Sequence, residues 1–140
     1  MSGKKLVIYS DGASRGNPGP AGIGIVICDE RGEVVKEYDE FIGTTTNNVA
    51  EYRALLKALE LASNFPINEL ECFSDSELMI KQLNGDYAVK NPRLHELVLQ
   101  VREKEKDFGR VRYVHVSRED ARIMKTDQLA NRAIEKESKR

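Results

Sequence analysis

The feature that most constrains the fold of this chain is a change of period near its middle. Three strand-like segments come first. "KKLVIYSDG" is a nearly continuous apolar run ending at Asp11 and Gly12, and "AGIGIVICDE" and "RGEVVKEYDEFIG" follow it. The tight "DERGE" between the last two puts Gly32 in a hairpin turn, so the three predict an antiparallel meander. From about Asn48 the spacing becomes helical: Tyr52, Leu55, Leu56, Leu59 and Ala62 share one stripe, and "NFP" ends the helix before Pro66. "ELECFSD" is a fourth strand and "SELMIKQL" a short helix closed by "NGD". After Pro92, "RLHELVLQVREKEKDF" is a charged amphipathic helix stopping at Gly109. "RVRYVHV" is a fifth strand, and after a polar loop "TDQLANRAIEKESKR" forms the last helix. The order β-β-β-α-β-α-α-β-α predicts an α/β fold, a mixed sheet with helices packed on it.

A chain of 140 residues suffices for one core, and residues 1–140 are expected to form a single domain without repeats or linkers. "MSGKK" leads straight into a strand, so no signal peptide is expected, and no apolar run approaches the ~20 residues of a membrane span. Cys28 and Cys72 lie in apolar runs and suit core packing better than a disulfide framework or zinc site. A cytoplasmic protein is the expectation. The formal net charge of −1 argues against a strongly basic, nonspecific nucleic-acid binder.

Four acids stand out by position. Strands one and four end alike, "YSDG" and "FSDS", so if they lie parallel and adjacent, Asp11 and Asp75 meet at their carboxyl ends, where open α/β sheets bind ligands. Glu51 falls in line with Leu55, Ala58 and Ala62 on or beside the inward stripe of its helix, a costly place for an unpaired carboxylate. Asp127 aligns with Ala130, Asn131 and Ile134. Each has a plainer explanation. Asp11 beside Gly12 suits a turn, and Ser74 with Glu77 matches a capping box that would make Asp75 mere decoration. Glu51 could reach water from the stripe's edge, and Asp127 could be a helix-start acid. As a set they have a common one: carboxylates crowded together repel unless cations lie between them. Oxygen-only ligands suit Mg²⁺ or Mn²⁺, and two such ions about 4 Å apart support phosphodiester cleavage.

The blocks "YSDGASRGNPGPAG", "TTTNNVAEYRALLKALELA", "CFSDSELMIKQLNG" and "TDQLANRAIE" resemble, in order and over essentially the whole chain, those of type 1 ribonuclease H. The resemblance implies a five-stranded mixed sheet, the first three strands antiparallel, with helices on both faces. It implies endonucleolytic hydrolysis of the RNA strand of RNA–DNA hybrids, with two Mg²⁺ ions (or Mn²⁺) bound alongside substrate and 5′-phosphate and 3′-hydroxyl products. By motif, the metal-binding and catalytic acids become Asp11, Glu51, Asp75 and Asp127. Asn17, Thr46, Asn47 and Asn48, with Gly12 and Ser76, become contacts to the hybrid, whose wide minor groove displays RNA 2′-hydroxyls.

Two departures accompany the resemblance. Many relatives carry a histidine in the loop before the last acid; here "SREDARIMKT" has none, and Glu119 or Asp120 is the candidate substitute. His115 is expected on a strand face and His95 in solvent. "NGDYAVKNPRL" is too short for the basic protrusion of some relatives, leaving Lys81, Lys90 and Arg93 as a reduced basic rim, and no separate hybrid-binding domain is expected. A monomer with a hybrid duplex as partner and no membrane association is the resulting expectation. The alternatives are a non-catalytic nucleic-acid-binding module on the same fold, or a related metal-dependent nuclease acting on another duplex.

Overall fold

A computed structural model of the protein describes residues 4–139. Five strands and four helices follow in the expected order: β1 Lys5–Ser14, β2 Gly19–Cys28, β3 Val34–Thr45, α1 Asn47–Ala62, β4 Glu69–Ser74, α2 Glu77–Leu83, α3 Pro92–Glu105, β5 Arg110–His115 and α4 Ala121–Ser138. The strands form one sheet in the order β3-β2-β1-β4-β5. β1 pairs antiparallel with β2 and β2 with β3, whereas β4 runs parallel to both β1 and β5. Among the described residues no helix is long and apolar enough to cross a membrane.

Strand alternation divides the core between two faces. Leu6 and Ile8 of β1 and Ile23, Ile25 and Ile27 of β2 join Tyr52, Leu55 and Leu59 of α1 and Leu97 and Val101 of α3 in the larger cluster. Val7 and Tyr9, with Val26 and Cys28, face the other way onto Leu129 of α4. The two buried cysteines thus belong to different clusters, Cys72 lying in the larger one, and pack as small apolar residues. α4 is fastened to β3 by Asp39, which pairs with Arg132 at 3.0 Å and Lys136 at 3.1 Å.

Glycines set how closely the helices approach the sheet. A methyl group on Gly24 would overlap the Thr126 carbonyl oxygen, and one on Gly22 that of Ala130, so α4 rests its backbone directly on β2. On the opposite face, a methyl on Gly12 would overlap the Ala50 carbonyl at the start of α1. Since Gly24 is the register partner of Asp11, its missing side chain is what lets α4 reach the end of β1. Gly24→Ala is expected to destabilise the protein by about 3 kcal/mol, read by urea unfolding, because neither backbone can yield without shifting the whole helix. A loss under about 0.5 kcal/mol would mean that α4 is free to lift.

The last helix starts five residues earlier than the polarity of "SREDARIMKT" suggests. Asp120 caps it, its Oδ1 accepting from the backbone N–H groups of Arg122 and Ile123. Ile123 is buried within the stretch read as loop, and Thr126, where the helix was expected to start, is buried as well. The plainer alternative for Asp127, a helix-start acid, does not hold: it lies on the second turn of α4, beyond the unsatisfied N–H groups of the helix end. The alternative of a capping box at Ser74 does not hold either. Ser76 caps α2 by accepting from Met79 N–H, and Ser74 Oγ accepts from Ser76 N–H. Asp75 precedes the cap and is free of it.

Candidate active site

The pairing of Tyr9 with Phe73 across parallel strands β1 and β4 carries both chains to the same edge, so that Asp11 and Asp75 emerge side by side. Beneath them the two aromatic rings stack at 5.2 Å. Glu51 enters from the first turns of α1. Thr46 caps this helix through Val49 N–H, and the close approach at Gly12 lets Gly12 N–H donate to Glu51 Oε1 at 2.9 Å. Asp11, Glu51 and Asp75 each bring a carboxylate oxygen within 4.8 Å of the other two. Asp127 lies outside this trio, yet its carboxylate is near enough for its charge to act on Asp11. Elements distant in sequence thus bring four acids to one end of the sheet.

Their burial differs in a way that matters. Asp11 and Glu51 are each only 5% exposed, Asp75 is half-buried, and Asp127 is exposed on α4 instead of turned inward along its stripe. The two deep carboxyls hold their protons strongly. Burial, then the neighbouring charges of Glu51, Asp75 and Asp127, push Asp11 up to about 11. Burial likewise raises Glu51 to about 8, against the lowering effect of the Gly12 N–H bond. Among the described residues no lysine or arginine forms a salt bridge with any of the four acids. Charge compensation must come from outside the chain or from bound protons. Hard oxygen donors, converging at coordination spacing with no protein cation among them, fit a divalent ion.

The segments expected at the nucleic acid gather beside this cluster. Asn17 Oδ1 accepts from Asn47 N–H at 3.0 Å, tying the β1–β2 loop to the start of α1. Asn17, Asn47 and Asn48 are all exposed, while Thr46 and Ser76 serve as the caps of α1 and α2. Gly12 also has the structural task of admitting Glu51. Glu119 is exposed in the β5–α4 loop, its N–H donating to Ser117 Oγ. Asp120 is committed to capping. His95 is exposed on α3, as expected, and His115 lies on β5, as expected, at its exposed end. One residue was missed: Arg118 lines a cavity of about 160 Å³ with Asp75, Asp127, Ile123, Met124 and Gln128. Its place in the polar β5–α4 loop, two residues before the Asp120 cap, is the signal of it in the sequence.

The family model described as reverse transcriptase-like matches residues 9–133. The chain is 41% identical over 133 residues to ribonuclease HI of Halobacterium salinarum, covering 95% of this chain and 66% of that protein. It is 42% identical over 132 residues to a bifunctional protein of Mycobacterium tuberculosis, covering 94% of this chain but 36% of the relative. The chain thus spans about a third of the length of that relative. Among solved structures, RNase H1 of Halobacterium salinarum superposes with a TM-score of 0.89 at 40% identity, covering 94% of this chain and 98% of that one. LC11-RNase H1, solved in complex with an RNA/DNA hybrid, gives 0.86 at 43%, with the same coverage of both chains.

Proposed function

The chain belongs to the type 1 ribonuclease H family, and from that premise we propose that it hydrolyses the RNA strand of RNA–DNA hybrids, leaving 5′-phosphate and 3′-hydroxyl ends. The observation that carries this reading is the convergence of Asp11, Glu51 and Asp75, flanked by Asp127, with no lysine or arginine salt-bridged to any of them among the described residues. A chain that only bound nucleic acid would gain nothing from a buried anionic cluster that repels phosphate. The family uses divalent metal; Mg²⁺ or Mn²⁺ suits these oxygen donors, with two ions proposed when the hybrid is bound. The chemistry such cations supply is charge neutralisation at the scissile phosphate and acidification of an attacking water.

Asp11 and Glu51, buried and held by neighbours, form the rigid floor of the site, and the more open Asp75 and Asp127 face the side where a phosphate arrives. In the hydrolysis a water oxygen bonds to phosphorus as the bond from phosphorus to the 3′ oxygen breaks; a proton passes to that leaving oxygen. Asn17, Thr46, Asn47 and Asn48 are proposed to contact the hybrid, with Gly12 and Ser76 close to its backbone. Asparagine amides both donate and accept, which suits 2′-hydroxyls and base edges in a shallow minor groove. Arg118, beside Asp75 and Asp127, carries the charge to attract phosphate, and Glu119 stands next to it as an auxiliary acid. Because one chain supplies all four acids, a monomer suffices.

Matched RNA–DNA, RNA–RNA and DNA–DNA duplexes, incubated with Mg²⁺, Mn²⁺ or chelator, provide the test. Cleavage confined to the RNA strand of the hybrid and abolished by chelator is expected. Equal cutting of DNA–DNA, or binding of the hybrid without cleavage under either metal, would replace this reading by one of its alternatives.

A further inference from the structure

Of the four acids, Asp127 alone is exposed on a helix surface, where packing does not choose its rotamer. Its orientation comes from a short polar chain. Asn131, one turn further along α4, donates from Nδ2 to the Asp127 carbonyl oxygen at 3.0 Å and to Asp127 Oδ1 at 3.3 Å. The Asn131 Oδ1 in turn accepts from Arg15 Nη2 at 3.3 Å, and the same nitrogen pairs with Glu135 Oε1 at 3.0 Å. Donor chemistry fixes the sense of this chain. A guanidinium only donates and an ionised carboxylate only accepts, so the Asn131 amide must turn its oxygen to Arg15 and its NH₂ to Asp127. Arg15 itself is anchored, its backbone N–H donating to Pro20 O across the β1–β2 loop that also carries Asn17.

We propose that Arg15 and Asn131 are positioning residues for Asp127: Arg15 orients the Asn131 amide, and the amide holds the carboxylate toward Asp11 for metal. This rests on the metal-dependent hydrolysis proposed above. The chain contributes little to stability, because Arg15 and Glu135 are 44% and 56% exposed and such surface pairs are worth ~0–1 kcal/mol. Its effect belongs in metal affinity and turnover. Outer hydrogen-bond partners of a ligand typically alter metal affinity by roughly 10- to 100-fold.

Arg15→Ala, Asn131→Ala and the double variant test it by two readouts. One is hybrid cleavage titrated with Mn²⁺ or Mg²⁺. The other is the rise in unfolding midpoint that the same metals produce without substrate. Each single variant is expected to raise half-saturating metal about tenfold and lower kcat by a similar factor, with KM for the hybrid changed less than about twofold. In chelator, the midpoint should stay within roughly 3 °C of the parent protein. The double variant should be no worse than Asn131→Ala alone, since both act through one amide. A raised KM with unchanged metal dependence would make Arg15 a phosphate contact and overturn the proposal. So would multiplicative losses in the double variant. If the parent protein fails to cut hybrid, yet metal raises its midpoint more than those of the variants, the hydrolytic reading falls and the positioning role stands. No metal-induced rise in the parent would sink the positioning role as well.

Discussion

Asp11→Asn is expected to leave the protein inactive and more stable at once. Asp11 is the hub of the cluster: Glu51, Asp75 and Asp127 all act on it, and it is almost wholly buried. Without metal, its carboxyl can exist there only by holding a proton or by enduring three like charges and the loss of water. Asparagine fits the same space, donates through its amide to the neighbouring carboxylates and carries no charge. Relieving the chain of that proton uptake or repulsion should raise the unfolding midpoint in chelator by roughly 3–6 °C at neutral pH, equivalent to about 1–2 kcal/mol. The same change removes the central ligand, so hybrid cleavage should fall by roughly a thousandfold or more. Thermal unfolding by circular dichroism, paired with the cleavage assay, reads both effects on one preparation. A variant that is inactive and also less stable would mean that Asp11 is a structural acid, satisfied by its surroundings, and that the cluster is not strained.

How far this site could be read from the sequence depends on whether each placement is local. The meeting of Asp11 and Asp75 was legible because two strands ending in the same pattern need only lie parallel and adjacent, and β1 and β4 do. Glu51 was legible from helical phase, since Leu55 and Ala58 beyond it fix which side of α1 is buried. Asp127 was harder. Its phase with Ala130 and Ile134 pointed to the inward stripe, yet Asp127 is exposed, and the true start of α4 was hidden by "SREDARIMKT", whose charges disguise the buried Ile123 and Thr126. The approach of α4 depends on Gly22 and Gly24, and nothing local in "AGIGIVICDE" distinguishes a glycine under a helix from one that only relaxes a strand. The polar chain from Arg15 to Asp127 joins residues over a hundred positions apart and follows from no pattern of spacing.

The second large effect is a stability that declines with pH unless metal is present. Both deep carboxyls have folded values raised above their ordinary ones, Asp11 from 3.8 to about 11 and Glu51 from 4.5 to about 8. An unfolded chain releases these protons near pH 4, whereas the folded chain retains them. Folding is therefore most favoured below about pH 4, as far as these groups decide it. That contribution is lost as pH rises, through about 8 for Glu51 and further for Asp11. The limit is about 1.4 kcal/mol per pH unit for each proton retained. Other perturbed groups leave the interval from pH 5 to 8 clear. Burial tends to raise Asp39, but the bonds from Arg132 and Lys136 prevail and hold it below its ordinary value, so its stabilising ion pair is already complete above pH 4. Tyr113 and Cys72 are raised by burial from ordinary values of 10.0 and 9.0, so they oppose folding only in more alkaline solution. In chelator the unfolding midpoint should fall by roughly 5 °C or more between pH 5 and 8. Saturating Mg²⁺ or Mn²⁺ should flatten that slope, because a cation binding the deprotonated cluster displaces the same protons and stabilises only the folded chain. The metal-induced rise in midpoint should consequently grow with pH and shrink in Asp11→Asn. A slope that is the same with metal and with chelator would show that the carboxylates do not hold the ion, and the hydrolytic reading would lose its physical basis.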